Sequence, residues 1–202
     1  MDREKKYRLS FTGASLMLPE MSELARAGLE QGMAGIDKSS VVKGQRSKTI
    51  STQFREIKLR IDTLTGDQLE ILANGDMVSQ RQIALLSVCK AYAFIRDFVV
   101  EAVREKAIVF DYQLTEGEYV SFFRRKSQAH PELENLTENT AKKVRQVTFK
   151  FLEQTGLIDN VKSRKIIPQL VDEKVARAVV GDDPEWLKIY LMPDMELVNR
   201  AS

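Results

Sequence analysis

The chain has 202 residues, with 31 Lys and Arg set against 29 Asp and Glu, for a formal net charge of +2. Hydrophobic residues make up 43% and charged residues 30%, with 5 prolines and 10 glycines; this excludes a disordered or low-complexity chain and fits an ordinary folded, mainly helical protein. That length accommodates one domain or two small ones with a substantial core.

The single cysteine, Cys89, cannot form an internal disulfide. Its apolar setting reads as a small core position, and a reducing cytoplasm is the expected compartment. The charged start, Met1-Asp2-Arg3-Glu4-Lys5-Lys6, leads into no apolar signal run. Positions 83–100 form the longest apolar region, but Lys90, Arg96 and Asp97 interrupt it. Each charge would be costly at mid-bilayer, so the segment reads as a core helix and no membrane partner is expected.

The near-neutral total hides a gradient. Positions 38–60 hold seven cations against one carboxylate, Glu56, whereas positions 172–196 hold seven carboxylates against three cations. Segregation of this kind bears on partners more than on fold.

In chain order, a first helix is expected from Leu18-Pro19, with proline in its first turn, to about Gln31. A basic polar stretch follows over 37–48. Ile50, Phe54, Ile57, Ile61 and Leu64 then recur at spacings of three and four, which marks one apolar helical face. A short helix is expected over 68–73. Ser79-Gln80-Arg81-Gln82 has the form of a capping box opening a long central helix that runs to about Val109. Positions 111–115 divide an N-terminal helical domain, 1–112, from a C-terminal one, 113–202. A helix from Thr115 to Lys126, a single turn over 132–136 and a Thr137-capped helix stopping at Gly156 come next. Leu157-Ile158 and Lys165-Ile166-Ile167 are β-prone runs joined by polar residues, so a short β-hairpin is expected. Helices over 172–180 and 184–191 close the chain.

Catalytic machinery is hard to assemble from these residues. His130 is the only histidine and has no nearby cysteine or histidine for a metal site. No serine lies in a nucleophile-elbow pattern. Thr12-Gly13-Ala14-Ser15 is too short and glycine-poor for a nucleotide phosphate loop. Asp182-Asp183 reads as acidic residues favoured at a helix N-terminus. No catalytic, cofactor-binding or metal-ligating residues are assigned.

Two features point to nucleic acid. Lys43-Gly44-Gln45-Arg46-Ser47-Lys48-Thr49, with Arg55 beyond it, combines cations, hydroxyls and an amide suited to phosphates. The order helix, turn, capped helix and hairpin over 115–170 is that of a winged helix, with the helix over 138–155 as its recognition element. Lys142, Arg145 and Gln146 then face away from the apolar stripe, and Lys162, Arg164 and Lys165 lie on or beside the wing. Phe149 falls on this polar side and must find its own packing. Each feature has a second reading: a solvated basic face for the first, against which six net positives in so short a window weigh, and a bundle helix with ordinary surface charge for the second, which fits equally. Trp186, Leu187, Ile189 and Tyr190 read as a docking C-terminal segment, or, if exposed, as a protein-partner site.

Several stretches resemble the BrxA family, small proteins of the BREX bacterial phage-defence systems. They are Tyr7-Arg8-Leu9-Ser10-Phe11-Thr12-Gly13-Ala14-Ser15-Leu16, Arg55-Glu56-Ile57-Lys58-Leu59-Arg60, and Cys89-Lys90-Ala91-Tyr92 with Phe98-Val99-Val100-Glu101-Ala102-Val103. Thr140-Ala141-Lys142-Lys143-Val144-Arg145-Gln146-Val147 and Gly156-Leu157-Ile158 extend the similarity. The resemblance implies a helical protein, compared in fold with the antitermination factor NusB, that binds DNA and serves a multi-protein defence system; with the two basic regions, the expected partners are duplex DNA and other BREX proteins. A non-catalytic adaptor and an RNA binder are the alternatives it leaves open.

Overall fold

The computed structural model describes residues 6–44 and 46–201, which form a helical bundle with no strand among them. Gln45 and the charged start at 1–5 lie outside the described residues. A 3-10 turn, Ser10–Gly13, precedes α1 (Leu18–Gln31), α2 (Lys38–Val41), α3 (Ser47–Ile61), α4 (Gly66–Asn74) and α5 (Met77–Ala91). Next come α6 (Ala93–Phe98), a π-helical turn (Val99–Arg104) and α7 (Glu105–Ile108). The second half holds α8 (Glu116–Ala129), α9 (Pro131–Glu134), α10 (Glu138–Thr155), α11 (Glu173–Val180), a 3-10 segment (Pro184–Tyr190) and α12 (Asp194–Ala201).

Helix α5 is the axis of the bundle and packs against α1, α3, α4, α10 and α11. Every residue from Gln82 to Cys89 is buried, which is why its sequence shows no polar stripe. Each of Ile83, Leu85, Leu86 and Val88 contributes about 1.5–3 kcal/mol by leaving water. One apolar cluster runs from Phe11 and Phe94 through Phe98 and Phe122 to Phe149 and Phe151, crossing the 111–115 junction.

Thr115 and Thr137 cap α8 and α10, and Gly156 ends α10 at a φ of 82° that favours glycine. Three local expectations are corrected. The cap of α5 is Asp76, whose carboxylate accepts from the N–H groups of Val78 and Ser79. Gln82 instead ties down the distant segment at 170–172, donating to the Leu170 carbonyl and accepting from the Asp172 N–H.

The central helix is also not continuous to 109. It breaks at Tyr92, which is extended (φ −129°, ψ 92°) although no proline or glycine is present. The Tyr92 side chain is completely buried, and its hydroxyl meets Arg60 and Glu56 of α3.

The β-hairpin and wing do not form as strands. Pairing is limited to the isolated antiparallel bridges Ile158↔Ile166 and Gln113↔Lys165. The connecting residues fold on themselves instead. Asp159 accepts from the N–H of Asn160 and Lys165, and Asn160 accepts from those of Lys162 and Ser163. Such side-chain turns compete with a ladder for the same N–H groups.

Candidate nucleic-acid interface

The surface in question is built around an arginine that the charge count treated as free. Arg60 is completely buried. Its Nη2 donates to the Ala14 carbonyl (3.1 Å), its Nη1 to those of Ser15 (2.7 Å) and Leu16 (3.1 Å), and its Nε to the Tyr92 hydroxyl (3.1 Å). The guanidinium also lies over the Phe151 ring at 4.9 Å. Tyr92 passes the network on to buried Glu56 (2.9 Å), which accepts from Ser10 as well (2.9 Å). Burial pushes the Tyr92 hydroxyl up to about 12, so it stays protonated and donates. Gly13 lets this turn approach α3 closely: a Cβ there would lie 3.1 Å from the Thr52 methyl.

Held this way, the turn at 12–15 forms one wall of a cavity of about 660 Å³ whose other wall is α10. Lys142, Lys143, Arg145, Gln146 and Lys150 line it from α10, Gln53 from α3, and Arg164 from the 159–164 turn. No carboxylate is among its described lining residues. Carboxylates sit outside it as ion-pair partners. Glu116 pairs with Arg145 and Arg164, Glu138 with Lys142 (2.6 Å), and Glu153 with Lys150. These are largely exposed pairs, worth about 0–1 kcal/mol each, so a phosphate can displace them at small cost. A wider groove of about 1120 Å³ adjoins this cavity and shares Ser15 and Gln53 with it; Lys43, Arg26 and Arg81 line it together with Glu20 and Glu23.

Of the ten cations and amides singled out from sequence, Lys142, Arg145, Gln146 and Arg164 meet in the first cavity, and Lys43 lines the adjoining groove. Arg46, Lys48, Arg55, Lys162 and Lys165 are exposed and line neither. Arg55 pairs with Glu56 at 3.4 Å, and Lys58, elsewhere in the basic stretch, with Asp62 at 2.7 Å. Arg164 is only partly available, because its guanidinium stacks on the Phe149 ring at 4.4 Å. That contact answers the packing question posed by Phe149, which is buried among Phe98 and Tyr119. Sequence reasoning missed Lys143, Gln53 and the 12–15 turn. Helical spacing could have offered Lys143 from its position beside Lys142, but nothing local joins residue 15 to residue 143.

Elsewhere, His130 is buried, stacked on Tyr7 at 3.8 Å with Nδ1 3.1 Å from Glu132. No group of three or more His, Cys, Asp or Glu side chains converges as a metal site among the described residues. No helix among them is long and apolar enough to cross a membrane. The apolar side of the 184–190 segment is already covered: Leu187, Ile189 and Tyr190 are buried, and Trp186 lies 5.9 Å from the Lys90 ammonium.

The crystal structure of an uncharacterized protein from Magnetospirillum magneticum superposes with a TM-score of 0.77 at 17% identity, covering 93% of this chain and 99% of that one. The two share a fold. The BREX protein BrxA of Bacillus cereus (strain H3081.97) is 22% identical over 173 residues, 83% of this chain and 86% of that protein. The BREX protein BrxA of Escherichia coli O9:H4 (strain HS) is 20% identical over 127 residues, 63% of this chain and 60% of that protein. The sequence profile described as BrxA matches residues 5–181, so the chain belongs to the BrxA family.

Proposed function

We propose that this protein serves a BREX defence system as a non-catalytic, sequence-tolerant binder of double-stranded DNA. The observation that carries this reading is the cavity between the 12–15 turn and α10, lined by five cations and no carboxylate among its described residues. Cations gathered on one surface bind a polyphosphate by releasing its counterions, and this attraction carries no base preference. Gln146, on the same face, is the residue type that reads adenine edges, so any sequence preference would enter there.

Fluorescence anisotropy of a labelled duplex over about 50–200 mM salt tests this, since phosphate binding loses affinity steeply across that range. A steep linear fall of log affinity with log salt is the expected result. Undetectable binding of duplex and single strands at the lowest salt refutes the reading. Competition by duplex RNA stronger than by duplex DNA would move the function to RNA.

A second reading, as an adaptor among BREX proteins, is favoured by one specific feature. An apolar groove of about 430 Å³ runs between α8, α9 and α10, lined by Tyr119, Val120, Phe123, Leu133 and Leu136. Val120 is 43% exposed on its wall, and Lys142 and Arg145 border both this groove and the cationic cavity. Co-purification of another BREX protein that survives nuclease and high salt, and is lost in Val120→Glu, would support it. Loss of the partner on nuclease treatment would leave DNA as the link.

A further inference from the structure

The turn that was too short for a phosphate loop has its peptide groups fixed by another device. The carbonyls of Ala14, Ser15 and Leu16 all converge on the one buried guanidinium of Arg60. A trans peptide places its C=O and N–H on opposite sides, and the described chain contains no cis peptide. Three carbonyls turned inward therefore turn the N–H groups of Ser15, Leu16 and Met17 away from Arg60; Ser15 lines both the cavity and the adjoining groove, whereas Leu16 and Met17 line the groove alone. Leu16 reports that direction: its N–H donates to Gln154 Oε1 at 3.0 Å, and Gln154 lines the groove. The Ser15 N–H, the Ser15 hydroxyl and the Met17 N–H have no hydrogen-bond partner among the described residues.

Across the cavity stand Lys143 and Lys150 of α10, with Gln53 of α3 and Gln146 alongside. Lys143 forms no ion pair among the described residues. An unpartnered backbone N–H and ammonium groups lining one cavity are the composition of an oxyanion site, because the N–H orients an oxygen while the cations supply the charge.

We propose that the outward N–H of Ser15 and the Lys143 side of α10 form a specific phosphate-binding site, which in the DNA complex seats one backbone phosphodiester. This rests on the DNA reading for the source of the phosphate, but the chemistry of the site does not depend on it. The site differs from general basic attraction in that an uncharged backbone donor sets its geometry. Anchoring one phosphate there fixes the register of the duplex along α10, and Arg60 takes part without touching the anion.

The test is a titration of the ¹⁵N-labelled full chain with pyrophosphate at constant ionic strength, followed by amide resonances. The Ser15 amide should shift saturably, while those of Gly32 and Gly35, at the far end of α1, should not. Lys143→Gln should weaken pyrophosphate binding about tenfold, as expected for one lost hydrogen bond to a charged group. Ser15→Ala, which keeps the N–H, should weaken it much less. Absence of a saturable shift at Ser15 overturns the site, even if labelled duplex still binds. A saturable shift with no duplex binding upholds the site and removes DNA as its source of phosphate.

Discussion

Replacing Arg60 by methionine keeps much of the alkyl packing and removes the guanidinium. The Ala14 and Leu16 carbonyls would then be left at residues 5% and 2% exposed, and Tyr92, itself 0% exposed, would lose its Nε donor. Each buried carbonyl without a partner costs about 1–3 kcal/mol, and breaking a buried charged network from one side typically costs about 3–5 kcal/mol. Stacking of the guanidinium over Phe151 adds about 1 kcal/mol to what is lost. Part of this is recovered if the 14–16 segment peels outward to reach water, so a net loss of about 3–4 kcal/mol is expected. With a urea m-value of about 2–3 kcal/mol/M, the unfolding midpoint should fall by about 1.5 M. Urea denaturation followed by far-UV circular dichroism measures this directly. A loss below about 1 kcal/mol would refute the argument, because the carbonyls would then have found other partners at little cost.

Asp97 accepts from the Tyr7 hydroxyl (2.6 Å), Arg96 and Lys126. Burial acts to raise its pKa, but Tyr7, Arg96 and Lys126 together outweigh burial and hold it below the usual aspartate range. A carboxylate depressed in the folded state contributes stability that is present above its unfolded value and lost as pH falls through the folded one. Asp97→Asn should therefore flatten the acid limb of Tm against pH below about pH 4; an unchanged limb would show that the ion pairs are not formed. The Tyr119 hydroxyl is buried without a partner among the described residues. Tyr119→Phe should be neutral or stabilising by about 1 kcal/mol in thermal unfolding, whereas a loss of that size would reveal a bond the hydroxyl makes in solution. Burial raises the Cys89 thiol far above its ordinary range, so native protein should resist iodoacetamide at pH 8 and react only as it unfolds.

Much of the helical layout was legible because its signals are local. The 50-54-57-61 spacing, the Thr115 and Thr137 caps and the Gly156 stop each depend on neighbours within one or two turns. The α5 cap was misplaced because Asp76 and Ser79 are both competent caps three residues apart, and the burial of Ser79 and Gln82 decides between them. The break at Tyr92 has no local cause; it serves a hydroxyl that must reach α3. Arg60 looked like surface charge, and only the packing of the 14–16 segment over α3 makes it structural. The candidate site was half legible for the same reason. The polar face of α10 could be read from its period, but the wall opposite lies more than a hundred residues earlier in the chain.

The most direct test of the central claim compares two charge-reversal variants in duplex-binding anisotropy, each checked for an unchanged circular dichroism spectrum. Lys142→Glu with Lys143→Glu reverses charge at the cavity wall on α10, while Lys48→Glu with Arg55→Glu reverses it on the exposed side of α3. The first pair should lose about 100-fold or more in affinity and flatten the salt slope by about two contacts, with the second pair changing affinity by only a few fold. Equal losses in both, or full binding by the α10 pair, would contradict a DNA interface at the cavity.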